Sequence, residues 1–216
     1  MAYFPAVGLL LGISAAALHF LLSLALPVMV CNFIVIVFMV VFTGNMHGDG
    51  LMDTADGIFS GQPRERVLEI MRDSRVGSHG VMAGTLALLA KLVLLAEMPR
   101  EALWPALVLM PSWGRWAQVY SAAVYPYART GGGTGGFTEF VGIREVLWSS
   151  LTVLAAGALL LQLKSGILAI AVFIGTALFG RYIFRKIGGI TGDTLGAVNE
   201  LAEVLSLVVL LIILKF

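Results

Sequence analysis

Asp49, Asp53 and Asp56 recur at i, i+4 and i+7 in the stretch TGNMHGDGLMDTADGIFSG, residues 43–61. On a helix advancing 100° per residue the three fall within about 60° of one another, so their carboxylates share a face. Like charges so placed repel by roughly a few tenths of a kcal/mol per exposed pair, and by more when desolvated. A bound cation relieves that repulsion. All-oxygen ligands suit Mg²⁺, with Mn²⁺ or Ca²⁺ as alternatives, rather than zinc. Mg²⁺ keeps positions for water and substrate phosphates, so the chemistry indicated is that of a diphosphate. Asp73 follows seventeen residues after Asp56, flanked by Arg72 and Arg75, and could return a fourth carboxylate. A hydrated helix cap would account for any one of these aspartates, but less readily for three on one face.

His47 stands two residues before Asp49. Its position suits a metal ligand, a general base, an orienter of Asp49 or a structural histidine. His19 lies inside an apolar segment and reads as packed, while His79 is undecided. A second polar stretch, GGITGDTLGAVNELAE (188–203), brings Asp193, Asn199, Glu200 and Glu203 to the start of the last apolar segment. Helix capping by Thr191 or Asp193 explains part of it, and contacts to substrate or metal are the functional reading. Arg115 lies among aromatics in PSWGRWAQVYSAAVYPYAR (111–129), where a cation needs a carboxylate or phosphate partner.

The elements that must position these groups are apolar. Of 216 residues 59% are hydrophobic and only 12% charged, with mean hydropathy +0.94. Soluble domains carry about 25% charge, so a polytopic membrane protein is indicated. A net charge of +1 gives no case for a nucleic-acid partner. Cys31 is the one cysteine, so no disulfide forms within the chain. A cleavable signal peptide is not expected, because the first apolar segment lacks a basic leader and is long enough to span.

Segments of spanning length fall near 4–26, 28–45, 79–97, 102–124, 146–163, 166–184 and 197–214. The fold class expected is therefore an all-α polytopic bundle of about seven transmembrane helices, six to eight, in one domain over 1–216. Seven spans put the connections near 46–78, 125–145 and 185–196 on one side. Those connections hold Arg64, Arg66, Arg72, Arg75, Arg129, Arg144, Arg185 and Lys186, against Arg100, Lys164 and Lys215 opposite. The excess of positive charge assigns the long loops, and every polar motif with them, to the cytoplasm. PRERVLEIMRDSR (63–75) is too charged to span and reads as an interfacial helix. RTGGGTGGFTEF (129–140) has the composition of a mobile loop.

The motifs resemble those of the cobalamin synthase (adenosylcobinamide-GDP ribazoletransferase) family. Its signature is similar to H-x-D-G-x-x-D-x-x-D-G followed by D-S-R-[IV]-G. Here those are His47, Asp49, Gly50, Asp53, Asp56 and Gly57, then RDSRVG at 72–77. FPAVGLLLG near the start, GRWAQVYSAAVYPYAR in the middle and GGITGDTLGAVNELAEV late resemble the family in the same order. The resemblance covers nearly the whole chain. It implies a Mg²⁺-dependent transfer in which α-ribazole, or its 5′-phosphate, displaces GMP from adenosylcobinamide-GDP to give adenosylcobalamin or its phosphate.

On that resemblance Asp49, Asp53, Asp56 and Asp73 would hold one or two metal ions, and His47 or a carboxylate such as Asp73 would take the hydroxyl proton. Arg72, Arg75, Arg115 and Arg129 would contact phosphates, and Asp193, Asn199, Glu200 and Glu203 would contact substrate. The setting implied is the inner, cytoplasmic membrane, with the site facing the cytoplasm and the lipid bilayer and small-molecule substrates as partners. Oligomeric state, a homo-oligomer included, is open. Two departures stand out. Family members usually carry a further segment ahead of Phe4-Pro5, and Ser78-His79 is not the pair expected after DSRVG.

The D-x-x-D-G core at Asp53, Asp56 and Gly57 is also similar to membrane CDP-alcohol phosphotransferases. The chain lacks the Ala-Arg that follows there, and Gly77 stands where a fourth acid would be expected. A divalent-cation transporter would spread its acids at mid-membrane depth over repeated halves. Here the acids crowd into loops and segment ends.

Overall fold

A computed structural model describes residues 1–129 and 140–215. Nine α-helices are found among them: α1 (Phe4–Ser23), α2 (Val28–Phe42), α3 (Met46–Phe59), α4 (Arg64–Ile70), α5 (Ser78–Glu97), α6 (Arg100–Val124), α7 (Ile143–Leu161), α8 (Ser165–Ile187) and α9 (Gly192–Lys215). The only extended pairing among the described residues is an isolated bridge between Tyr127 and Ile190. The architecture is an all-α membrane helical bundle. Of the glycine-rich loop expected at 129–140, residues 130–139 lie outside the described residues.

Helix α6 forms the axis. Most of its length is buried, from Ala102 to Ala122, and α1 and α9 pack along it. Gly8 and Gly12, one turn apart on α1, permit the close approach of α1. A Cβ at Gly8 would stand 2.5 Å from the Pro111 carbonyl oxygen, and one at Gly12 would stand 2.6 Å from that of Leu107. Small residues spaced by four are how helices approach closely when lipid supplies no hydrophobic drive. The Ser112 hydroxyl donates to the Pro5 carbonyl at 3.0 Å, fixing the same contact.

Four stretches are long and apolar enough to cross a membrane: Phe4–Ser23, Ser78–Glu97, Ile143–Ile187 and Gly192–Lys215. A fifth arises if α2 and α3 are taken together, although they meet at 85°. The count of seven read from the sequence is thus not reproduced by length and composition, for three reasons. α2 stops after 15 residues, at Phe42. α6 carries Arg100, Glu101, Arg115, Pro105 and Pro111, and its neighbours rather than lipid surround it. The pair α7 and α8 forms one apolar stretch of 45 residues, interrupted where Gln162 takes a left-handed φ of 54°.

The bend between α2 and α3 has a local cause. Gly44 (φ 62°) and Asn45 (φ 56°) both occupy the left-handed region, which glycine and asparagine reach most cheaply. A helix at 85° to α2 runs across the bundle rather than through it, so α3 lies at one end of the membrane-crossing helices. The charged helix expected at 63–75 is α4, shorter than foreseen. Its Val67, with Met71 beyond it, buries against Ile58, Ala128, Ile183 and Ile187.

Candidate active site

Helix α3 owes its orientation to its two faces. His47, Gly50, Leu51, Thr54, Ala55, Gly57 and Ile58 are buried, while Asp49, Asp53 and Asp56 keep access to solvent. Gly50 is required because a Cβ there would stand 2.7 Å from the Asp193 carbonyl oxygen. That close approach joins the aspartate face of α3 to the start of α9. Thr191 caps α9, accepting from the Thr194 amide at 3.2 Å and donating its own amide to the Thr194 hydroxyl at 2.8 Å. The capping expected of this turn therefore falls to Thr191. Asp193 is left for another task, and its carboxylate accepts from Arg129 at 2.7 Å.

Asp53 is the electrostatic focus. Partial burial, followed by the charges of Asp49, Asp193 and Asp56, pushes its carboxyl up to about 6, against the opposing pull of Arg129. Asp56 has a structural duty as well. Its two oxygens accept the amides of Gly77 at 2.7 Å and Gly80 at 2.8 Å, so it caps the start of α5 from a neighbouring helix. A Cβ at either glycine would collide with that carboxylate, which explains the glycines of VGSHG.

Asp73 is taken up differently. Arg75 donates to it through Nη2 at 2.7 Å and through Nε and its backbone amide at 3.0 Å, holding the carboxyl near 2 at the protein surface. Arg72 and Arg129 line one cleft together with Arg64, Glu65 and Glu69. The buried Nε of Arg129 has no hydrogen-bond partner among the described residues. An unsatisfied guanidinium nitrogen suits a phosphate oxygen.

A second polar group lies deeper. Lys91 of α5 donates to Glu200 at 2.7 Å and to Glu203 at 2.5 Å, both on α9. Asn199 donates to the other Glu203 oxygen at 2.9 Å, and Arg115 stands 3.8 Å from it. The carboxylate partner that Arg115 needed is thus Glu203, not an aspartate of α3. Lys91 was missed in the sequence, although a lone lysine within LALLAKLVLLA signals a buried counter-charge. Arg64 was missed too. It donates to the carbonyls of Ile187 at 2.7 Å and Ala128 at 2.9 Å, tying the end of α8 to the segment after α6. His19 is the packed residue expected, paired with Asn32 at 3.0 Å, and the His79 ring lies against that of Phe59.

The structure therefore brings Asp49, Asp53, Asp56, Asp193 and Arg129 to one face. It places Asp73 with Arg75, and Glu200 and Glu203 in the network below. The carboxylate donors suit a hard cation in kind, and the mutual charge on Asp53 is what such an ion would neutralise. Among the described residues no three His, Cys, Asp or Glu side chains stand close enough together to hold one metal ion.

A family model described as cobalamin-5-phosphate synthase matches residues 1–211. The chain belongs to this family. A protein of Caldanaerobacter subterraneus named adenosylcobinamide-GDP ribazoletransferase is 40% identical over 212 residues, spanning 95% of the chain and 84% of that relative. One from Desulforamulus reducens bearing the same name is 41% identical, over 94% of the chain and 82% of the relative. Another, from Geotalea daltonii, is 38% identical over 99% of the chain and 86% of its own length. No solved structure matches. Within the cobalamin-5-phosphate synthase family, the H-x-D-G-x-x-D-x-x-D-G motif of this chain is the α3 face, and its D-S-R-V-G segment is the turn whose Gly77 amide Asp56 accepts.

Proposed function

We propose that the chain is an adenosylcobinamide-GDP ribazoletransferase, with the match to its family across residues 1–211 as the observation that carries the reading. A ribose hydroxyl of α-ribazole, or of its 5′-phosphate, attacks the phosphorus that bears cobinamide. The new P–O bond forms as the bond to the GMP oxygen breaks. GMP leaves and adenosylcobalamin, or its 5′-phosphate, remains. The reaction needs the diphosphate held in line and its charge balanced, so positioning and electrostatics dominate.

Asp53, with Asp49, Asp56 and Asp193 around it, is where Mg²⁺, or Mn²⁺ as a substitute, would be held once these side chains draw together, while Asp73 stays paired with Arg75. Such an ion would supply charge neutralisation for the diphosphate. Arg129 and Arg72, which line one cleft, hold phosphate oxygens, and the Arg129 Nε, without a hydrogen-bond partner among the described residues, supports that role. His47 or one of the carboxylates accepts the proton of the attacking hydroxyl. Within the cell the protein lies in the cytoplasmic membrane with this face toward the cytoplasm, in keeping with the arginine-rich loops on that side.

The test is direct. Protein purified in detergent is given adenosylcobinamide-GDP, α-ribazole and Mg²⁺, and GMP and adenosylcobalamin are followed together. Equimolar products that vanish with EDTA and return with Mg²⁺ are expected. A folded sample that forms neither product would overturn the assignment and direct attention to CDP-alcohol substrates.

A further inference from the structure

Behind the aspartate face lies a cavity of about 320 Å³ that the reaction as described leaves unassigned. Its walls come from α2, α3 and α5 and are mainly apolar, Ile36, Met39, Leu51 and Leu88 among them. Its floor is polar and buried: Lys91, Arg115, Glu200 and Glu203, together with His47 at the side. Two cations face two carboxylates there, and each glutamate accepts from Lys91. The floor is therefore balanced. It offers hydrogen bonds without a net charge to attract an ion.

We infer that this cavity is the acceptor subsite, receiving the flat, apolar base of the benzimidazole nucleoside. The inference rests on the reaction proposed above. Of that reaction's partners, a corrin ring with its amide side chains is too large for the space, and a diphosphate is too highly charged for such walls. A planar aromatic heterocycle carrying a sugar matches both the volume and the polarity. The methylated ring edge packs among the α2 and α5 side chains, and a ring nitrogen accepts from a floor cation. Placement supplies the second argument. His47 lines the cavity, and Asp49 follows it by two residues on the same helix. A base seated below α3 leaves the ribose hydroxyl at the edge of the helix, beside the phosphorus it must attack. The hydroxyl then reaches the phosphorus from the cavity side while the diphosphate is held from the aspartate side.

The subsite is tested by narrowing it from α5, where Val81 and Thr85 line the cavity and are otherwise exposed. Thr85→Phe and Val81→Trp are assayed in the whole protein in detergent, with KM measured separately for α-ribazole and for adenosylcobinamide-GDP. Binding of α-ribazole alone is followed by calorimetry. Leu86→Phe, on the other flank of α5 against a different cavity, is the control. At least a tenfold rise in KM and in the dissociation constant for α-ribazole, with the KM for adenosylcobinamide-GDP unchanged and Leu86→Phe silent, is the expected result. Unchanged α-ribazole binding in both folded variants would overturn the subsite while leaving the activity intact. A rise confined to adenosylcobinamide-GDP would assign the cavity to the other substrate and overturn it equally. If the wild-type protein forms neither GMP nor adenosylcobalamin, the reaction itself falls and the subsite with it. That outcome is distinguishable because it appears before any variant is made.

Discussion

Asp53 pays for its position in charge. Its folded-state carboxyl near 6 lies above the ordinary value of 3.8, chiefly through burial and then through Asp49, Asp193 and Asp56. A group raised on folding opposes folding once the unfolded chain is ionised. The penalty is complete above pH 6 and absent below about pH 4. Asp53→Asn is therefore expected to raise the melting temperature of the metal-free protein at pH 7.5. That gain should fade as pH falls from 6 toward 4, while turnover drops at least a hundredfold at every pH. Melting curves in EDTA beside the GMP assay test both halves. A variant that keeps near-normal turnover would remove the aspartates from the reaction. The same proton would compete with the proposed Mg²⁺, so the Mg²⁺ concentration for half-maximal rate should rise about tenfold per pH unit below 6. A requirement independent of pH between 5 and 7 would place the ion elsewhere.

At the scale of elements, the site depends on how tightly α1, α6 and α9 close. Gly12→Val forces a Cβ to within 2.6 Å of the α6 backbone at Leu107 and Val108, where no side chain can give way. The expected loss is about 1–3 kcal/mol, read as an earlier unfolding midpoint in detergent with the KM values little changed. Stability equal to wild type would mean that α1 does not close on α6 in this way. How far such elements were legible follows from the kind of signal each leaves. The aspartate face was legible because i, i+4, i+7 spacing is local. The cap at Thr191, one of the two capping candidates in its turn, was legible for the same reason. The partner of Arg115 was not, since Glu203 lies 88 positions away and joins it only through the packing of α6 on α9. The bend after α2 escaped as well. Gly44 and Asn45 mark a turn, but hydropathy alone ran the apolar segment through to residue 45.

Taken whole, the molecule is polarised. Arg64 reaches Ile187 and Ala128, Arg129 reaches Asp193, and Asp56 reaches Gly77, so the end of α6, the end of α8, the start of α9 and the start of α5 meet at one end with α3. At the other end Lys164 donates to the Ile213 carbonyl at 2.6 Å, closing the α7–α8 turn against the end of α9. Connections at the first end are long and basic, while those at the second are short. The longer loops that could build a site lie at the first end, and the orientation proposed above turns that end to the cytoplasm. Impermeant maleimide distinguishes the ends because the native Cys31 is buried. Ser74→Cys, on the exposed turn of the aspartate end, should label only in inverted membrane vesicles. Leu163→Cys, at a position 96% exposed at the opposite end, should label only in right-side-out vesicles or spheroplasts. Labelling with the sides exchanged would turn the protein over in the membrane. Labelling of both from one side would mean that the bundle does not carry the chain across between them, and the polarity drawn from the hydrogen bonds would no longer be the polarity of the membrane.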